Sequence, residues 1–173
     1  MKLVLRELNE KDEQAFLEGL KEWVGESPHW YSFIWKEGLA FPDMLNVLKN
    51  EAAGIDLAPG RVPHSMLYGF LDGKIIGRVS IRHSLNDYLR KRGGHIGYAV
   101  AKSQRKKGFA TEMVRMGLEY CRNLGIESVM VTCADDNVPS WKIVEHFDGK
   151  LQDRIWDDED NEMIRRYWIA LPK

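Results

Sequence analysis

The stretch Val100-Ala101-Lys102-Ser103-Gln104-Arg105-Lys106-Lys107-Gly108-Phe109-Ala110-Thr111 decides how this chain is read. Residues 94–100 ahead of it have strand character. Behind it Ala110, Met113, Val114, Gly117, Leu118 and Cys121 share one face of a helix over about 108–124, and Gly125 is placed to cap it. A strand therefore runs into a basic turn, and glycine opens the helix. First-turn amides have no intrahelical acceptor and carry the positive end of the helix dipole. Gly108 brings no Cβ between an anion and the backbone, and Arg105, Lys106 and Lys107 add positive charge. The expected ligand is a phosphate or pyrophosphate. The run is not a P-loop, which needs GxxxxGK[ST]. Nor is it a dinucleotide fingerprint, since only one of the GxGxxG glycines is present.

Outward from this turn the pattern is mixed α/β. Strands are predicted over 3–6, 66–71, 74–82, 94–100, 128–133, 151–156 and 163–171, with Asp72-Gly73 as the two-residue turn of a hairpin. Helices are predicted over 10–23 and 42–53, the second stopped by Gly54, and a short one begins near Pro139. The acidic run Asp157-Asp158-Glu159-Asp160 reads as a solvated hairpin tip.

The chain has 173 residues, 44% of them apolar and 29% charged, which suits one domain spanning 1–173. Its 25 Lys plus Arg and 26 Asp plus Glu leave a net charge of -1, which argues against nucleic acid or an acidic membrane as partner. Two cysteines exclude a disulfide scaffold and a four-cysteine zinc site. Five scattered histidines, without HExxH or HxH, give no reason to expect a metal. No apolar run approaches a membrane span and the first residues are too charged for a signal peptide, so the expected compartment is the cytoplasm.

Arg105-Lys106-Lys107-Gly108-Phe109-Ala110 resembles the R/Q-x-x-G-x-G/A signature of the GNAT superfamily of acetyl-CoA-dependent N-acetyltransferases. Its surroundings are similar too. His95 to Val100 resembles that family's fourth strand, and Val129 to Cys133 followed by Asn137 resembles its fifth strand and the asparagine after it. Asp72-Gly73-Lys74-Ile75-Ile76-Gly77 resembles its "dG-x-i-vG" hairpin, and the opening strand, Asn9 and the first helix also fit. The resemblance covers nearly the whole chain. It implies a mixed, mostly antiparallel sheet of about seven strands, splayed between the fourth and fifth, with about four flanking helices.

It further implies acetyl-CoA as co-substrate and no metal. Backbone groups of Tyr98, Ala99 and Val100 would bond the pantetheine amides. Arg105, Lys106, Lys107, Gly108, Phe109, Ala110 and Thr111 would hold the pyrophosphate. Asn137 and Ser140 would contact the arm from the other side. Many relatives carry a glutamate base early in the fourth strand, where this chain has His95, whose reference pKa near 6.5 suits a base at neutral pH. A structural histidine is the competing reading. The tyrosine that protonates the leaving thiolate in many relatives is Val144 here. Cys133 is a poor substitute, since alternation with Val129 and Val131 turns it into the core, and His83 is an unplaced candidate.

In that family the segment between the first strand and the second helix usually walls the acceptor site. Glu26, Trp30, Tyr31 and Trp35 lie there, so an aromatic pocket with an acidic anchor would suit a cationic amine on a small molecule or peptide. Loop aromatics filling core is the plainer reading of the same residues. The resemblance thus implies an N-acetyltransferase. The alternative is a module of the same fold that binds acyl-CoA without turnover, as a sensor or scaffold. The sequence leaves a homodimer open.

Overall fold

The computed structural model describes residues 2–172. Asp72 and Gly73 take φ of 49° and 81°, the double left-handed turn that suits the twist of a hairpin, between β2 (His64–Leu71) and β3 (Lys74–Arg82). β1 (Leu3–Arg6) adds to β2, and β4 (Ile96–Val100) adds to β3, giving an antiparallel sheet in the order β1-β2-β3-β4. β5 (Ser128–Ala134), β6 (Lys150–Asp157) and β7 (Glu162–Ala170) form a second antiparallel sheet, β5-β7-β6. The seven strands match the expected count.

The sheets are joined by backbone bonding at the start of β4. The His95 amide donates to the Met130 carbonyl at 2.8 Å, and the Met130 amide donates to His95 Nδ1 at 2.9 Å. Beyond this pin β4 and β5 share no ladder. The splay is therefore present, with its closed end at His95.

Helices cover both faces. α4 (Phe109–Asn123) and α5 (Val138–His146) lie over a core that includes Val79, Ile81, Ile96, Val114, Leu118 and Val131. α1 (Glu13–Leu20) and α2 (Phe41–Ala53) close the other face over Phe16, Tyr31, Met44 and Tyr68. Strand alternation divides β3 between them: Val79 and Ile81 face α4, and Arg78, Ser80 and Arg82 face the opposite side. No helix among the described residues is long and apolar enough to cross a membrane.

Three sequence expectations need correction. The helix expected over 10–23 is α1 flanked by 3-10 turns at Glu10–Asp12 and Lys21–Trp23. A helix absent from the sequence reading, α3 (Asp87–Lys91), is too short for periodicity to reveal; its signal is the cap, Asn86 Oδ1 accepting the Leu89 amide at 2.9 Å. The acidic run is not simply solvated. Asp157 is buried, and Arg92 grips Asp157, Asp160 and Glu162 together.

Candidate active site

The turn after β4 has the geometry that its sequence predicts. Lys106 and Gly108 both take positive φ, 61° and 81°, so the chain curls into a concave run of backbone amides. α4 starts at Phe109 with no side-chain cap, and the first amide to find an intrahelical acceptor is that of Glu112, on the Gly108 carbonyl at 3.1 Å. The amides of Phe109, Ala110 and Thr111 are thus left for an external acceptor. A Cβ built on Gly108 would meet nothing within 4 Å. This open, amide-lined, positive concavity fits a pyrophosphate. Lys107 Nζ is folded back on the Ser103 carbonyl at 2.8 Å.

The β4 edge is equally specific. At its two ends the strand bonds to β3, the Arg82 amide donating to the His95 carbonyl and the Ala101 amide donating to the Ile76 carbonyl. By alternation Gly97 and Ala99 also face β3, so the amides and carbonyls of Ile96, Tyr98 and Val100 point into the splay. Tyr98 and the Val100 amide therefore present an edge that an extended amide chain can add to, while the Val100 carbonyl accepts from Arg105 Nε at 3.0 Å. Ala99 does not, because its polar groups are spent on β3. Across the splay Asn137 caps α5, its Oδ1 taking the Ser140 amide at 3.3 Å, and Tyr98 Oη lies 2.9 Å from Ser140 Oγ.

On the other side of β4 and β5 lies a cavity of about 730 Å³ whose wall includes Trp30, Phe33, Arg78, Gly97, Tyr98 and Ser140. It borders the splay, so an acceptor within it would approach the strand edge from the face opposite the α4 turn.

Of Glu26, Trp30, Tyr31 and Trp35, only Trp30 lines this cavity, and His83 does not line it either. Tyr31 is fully buried, and its hydroxyl donates to the Phe16 carbonyl at 2.9 Å. Burial lifts its phenol far above the usual range. It is core beneath the loop. Glu26 pairs with Arg105 at 2.6 Å, and that guanidinium holds the Glu26 carboxyl below its ordinary pKa. His83 shares the parity of Val79 and Ile81, so it faces α4, with Nε2 2.9 Å from Ser65 Oγ. The sequence reading missed Arg78 and Arg82. Their signal was visible as polar residues at even positions of Ile75-Ile76-Gly77-Arg78-Val79-Ser80-Ile81-Arg82, a pattern that ordinarily marks a solvated strand face.

The base reading of His95 meets an obstacle. The ring is buried, and desolvation, followed by the nearby charges of Arg90 and Arg82, pushes its pKa down to about 4. It is neutral at pH 7, and its Nδ1 lone pair is occupied by the Met130 amide, so the proton sits on Nε2. Val144, in the acid slot, is buried in the core.

Arg105 also donates from Nε to the Val100 carbonyl at 3.0 Å, beside the edge described above. Glu26 thus competes with any phosphate for this guanidinium. Replacing it, Glu26→Gln, should tighten acetyl-CoA binding by roughly two- to fivefold, the scale of an exposed ion pair. Calorimetry on the two proteins decides it; weaker binding by the variant would mean that the pair orders the turn.

A family model for an acetyltransferase (GNAT) domain matches residues 2–150. No curated protein matches the sequence. Among solved structures, a GNAT-family acetyltransferase from Streptococcus pneumoniae superposes with a TM-score of 0.66 at 17% identity, covering 99% of this chain and 100% of that one. RimJ of Mycobacterium smegmatis, in complex with CoA-disulfide, gives 0.70 at 21%, covering 99% and 84%. A spermidine N-acetyltransferase SpeG chimera from Vibrio cholerae and hSSAT gives 0.64 at 17%, covering 98% and 96%. Fold, splayed strands, amide-lined turn and family match agree, and the chain belongs to the GNAT acetyltransferase family.

Proposed function

We propose that residues 1–173 form a single N-acetyltransferase domain that moves an acetyl group from acetyl-CoA to a primary amine, by direct attack with both substrates bound. The observation that carries this reading is the pairing of an uncapped, glycine-opened α4 turn with a β4 edge open at Tyr98 and the Val100 amide, the two anchor points that a pyrophosphate and a pantetheine arm require. The turn from Arg105 to Thr111 takes the pyrophosphate. Tyr98 and Val100 bond the arm, with Asn137 and Ser140 opposite. Acetyl-CoA bound there supplies an activated thioester.

This chain's own residues then have limited tasks. Backbone amides at the splay orient the acyl group, and the cavity holds the amine beside it, so proximity supplies much of the acceleration. His95 is a positioning residue in this reading. With Nδ1 committed to Met130, it cannot also take the amine's proton, which passes to solvent. Cys133 is buried and its thiol is pushed up to about 11 by burial, so it stays a neutral packing group. Cys133→Ala should keep kcat within roughly tenfold of the parent, with any loss tracking a lower melting temperature. A stable Cys133→Ala protein with kcat down a thousandfold would make that thiol the acid.

The test is acetyl-CoA titration by calorimetry together with thiol release in the presence of an amine panel. Binding with amine-dependent release of free CoA is the expected result. Tight binding without release by any amine would identify a module that holds acyl-CoA without turning it over.

A further inference from the structure

Arg78 is 2% exposed and Arg82 is half-buried, and no carboxylate lies within 4 Å of either guanidinium among the described residues. The cavity they line contains carboxylates, but Asp160 and Glu162 are committed to Arg92. Arg61, also on the wall, has Glu51 at 3.8 Å. The positive charge of the other two is met only by neutral groups. Arg78 donates from Nε to the Trp30 carbonyl at 2.8 Å and from Nη1 to Ser80 Oγ at 3.1 Å, with the Gly97 carbonyl at 3.5 Å. Arg82 Nη1 donates to the Gly93 carbonyl at 3.2 Å. The Phe33 ring lies 4.3 Å from the Arg78 guanidinium carbon and 5.9 Å from that of Arg82. Burial pushes both down to about 10, so both remain charged at neutral pH. A buried cation beside a half-buried one, without a countercharge, is costly to keep.

Their tips converge. The point where a Cβ would stand on Gly97 is 3.1 Å from Arg82 Nη1, 3.3 Å from Ser80 Oγ and 3.9 Å from Arg78 Nη1. Any side chain at position 97 would crowd these tips, and glycine lets them draw together beside the strand. Two guanidinium tips from one strand, β3, thus stand together on the cavity wall with Ser80 between them, a cradle for an oxyanion in the cavity.

We infer that this cradle binds an anionic group of the acceptor, so that the amine acetylated is a small one carrying a carboxylate or phosphonate. The inference rests on the acetyltransferase reading and narrows it. Gly97 is next to Tyr98, whose backbone edge flanks the proposed acyl position, and neighbouring strand residues are roughly 3.3 Å apart. Arg78, Arg82 and Tyr98 share one cavity wall, which favours an acceptor whose anion and amine are separated by few bonds, as in an amino acid. This reverses the expectation of a cationic amine held by Glu26. It also sets the chain apart from the spermidine N-acetyltransferase whose fold it shares.

The test compares matched acceptors in the thiol-release assay: L-amino acids, their carboxamides, an aminoalkylphosphonate and spermidine. Melting temperatures are measured with the same compounds, with and without CoA. Turnover confined to the anionic members is expected, and the amino acids against the phosphonate show which oxyanion is preferred. Arg82→Gln should raise KM for the best acceptor at least tenfold while leaving acetyl-CoA affinity unchanged. Gly97→Ala places a methyl in the cradle at the expense of a small shift of the Arg82 tip, and should raise KM similarly in a protein that melts normally. Amides or spermidine turned over as well as the anions, or an unchanged KM in both variants, would overturn the assignment. So would the absence of both turnover and any melting shift with every anionic compound. Failure to bind acetyl-CoA at all would instead remove the acetyltransferase reading, and the melting shifts with anionic amines alone would still report on the cradle.

Discussion

Gly108→Asp should weaken acetyl-CoA binding about a hundredfold, near 2.7 kcal/mol, in a protein that still folds. Two effects act together. The residue holds φ of 81°, which costs a residue with a Cβ about 1 kcal/mol. The new carboxylate would occupy the open space over the Phe109, Ala110 and Thr111 amides, where the pyrophosphate is expected, and repel it. Gly108→Ala isolates the backbone contribution, because its methyl meets nothing, and should cost only several-fold. Calorimetry on the parent and both variants reads the result. Unchanged affinity in a folded Gly108→Asp protein would move the pyrophosphate off this turn.

The second large effect concerns pH. His95 is neutral in the folded protein, with a pKa near 4, and takes up a proton near 6.5 when unfolded. A depressed histidine pKa means that the unfolded state binds the extra proton first. The associated stability is complete above about pH 6.5 and is lost as pH falls toward 4. At pH 5 the loss is about 2 kcal/mol. His64, pushed down to about 4 chiefly by burial, adds a similar loss. Since it is neutral at pH 7, its 3.4 Å approach to Glu51 is not an ion pair there. Urea unfolding at pH 7.5 and pH 5 should therefore differ by several kcal/mol, and His95→Gln should shrink the difference by about 2 kcal/mol. A glutamine oxygen can still accept the Met130 amide, so the variant should keep kcat within roughly tenfold at pH 7.5. A kcat down a hundredfold or more, with normal stability, would restore His95 as the base.

Most of the fold was readable because its signals are local. Asp72-Gly73 dictates a double left-handed turn, and the apolar stripe of α4 needs only the helical period. The α4 turn was readable for the same reason, since an uncapped helix start and a glycine are properties of neighbouring residues. The acceptor side was not. Arg78 and Arg82 alternate with Val79 and Ile81 as a solvated face would. Only the packing of Trp30 and Phe33 across that face, more than forty residues away in sequence, turns it into an interior wall. Tyr31 and Trp30 are adjacent aromatics in one loop, yet one bonds to α1 in the core and the other faces the cavity. His95 failed for a related reason. Its position along β4 was legible, but the Met130 amide that occupies Nδ1 comes from a strand whose register sequence does not disclose.

The gap between the two sheets bears on how the protein responds to its ligand. A sheet ordinarily gains rigidity from an unbroken lattice of cross-strand bonds, and here that lattice is interrupted between β4 and β5. An extended arm that bonds both margins would act as a missing strand, and the halves would stop behaving as separately hinged plates. Binding would then be read far from the pocket. Amide protons along β4 and β5 should exchange quickly in the free protein and slowly once the arm is seated. At a hundred times Kd, the whole chain should gain about 2.7 kcal/mol against unfolding. The ligand would thus be both reactant and mechanical brace, and each turnover would loosen the framework that must grip the next.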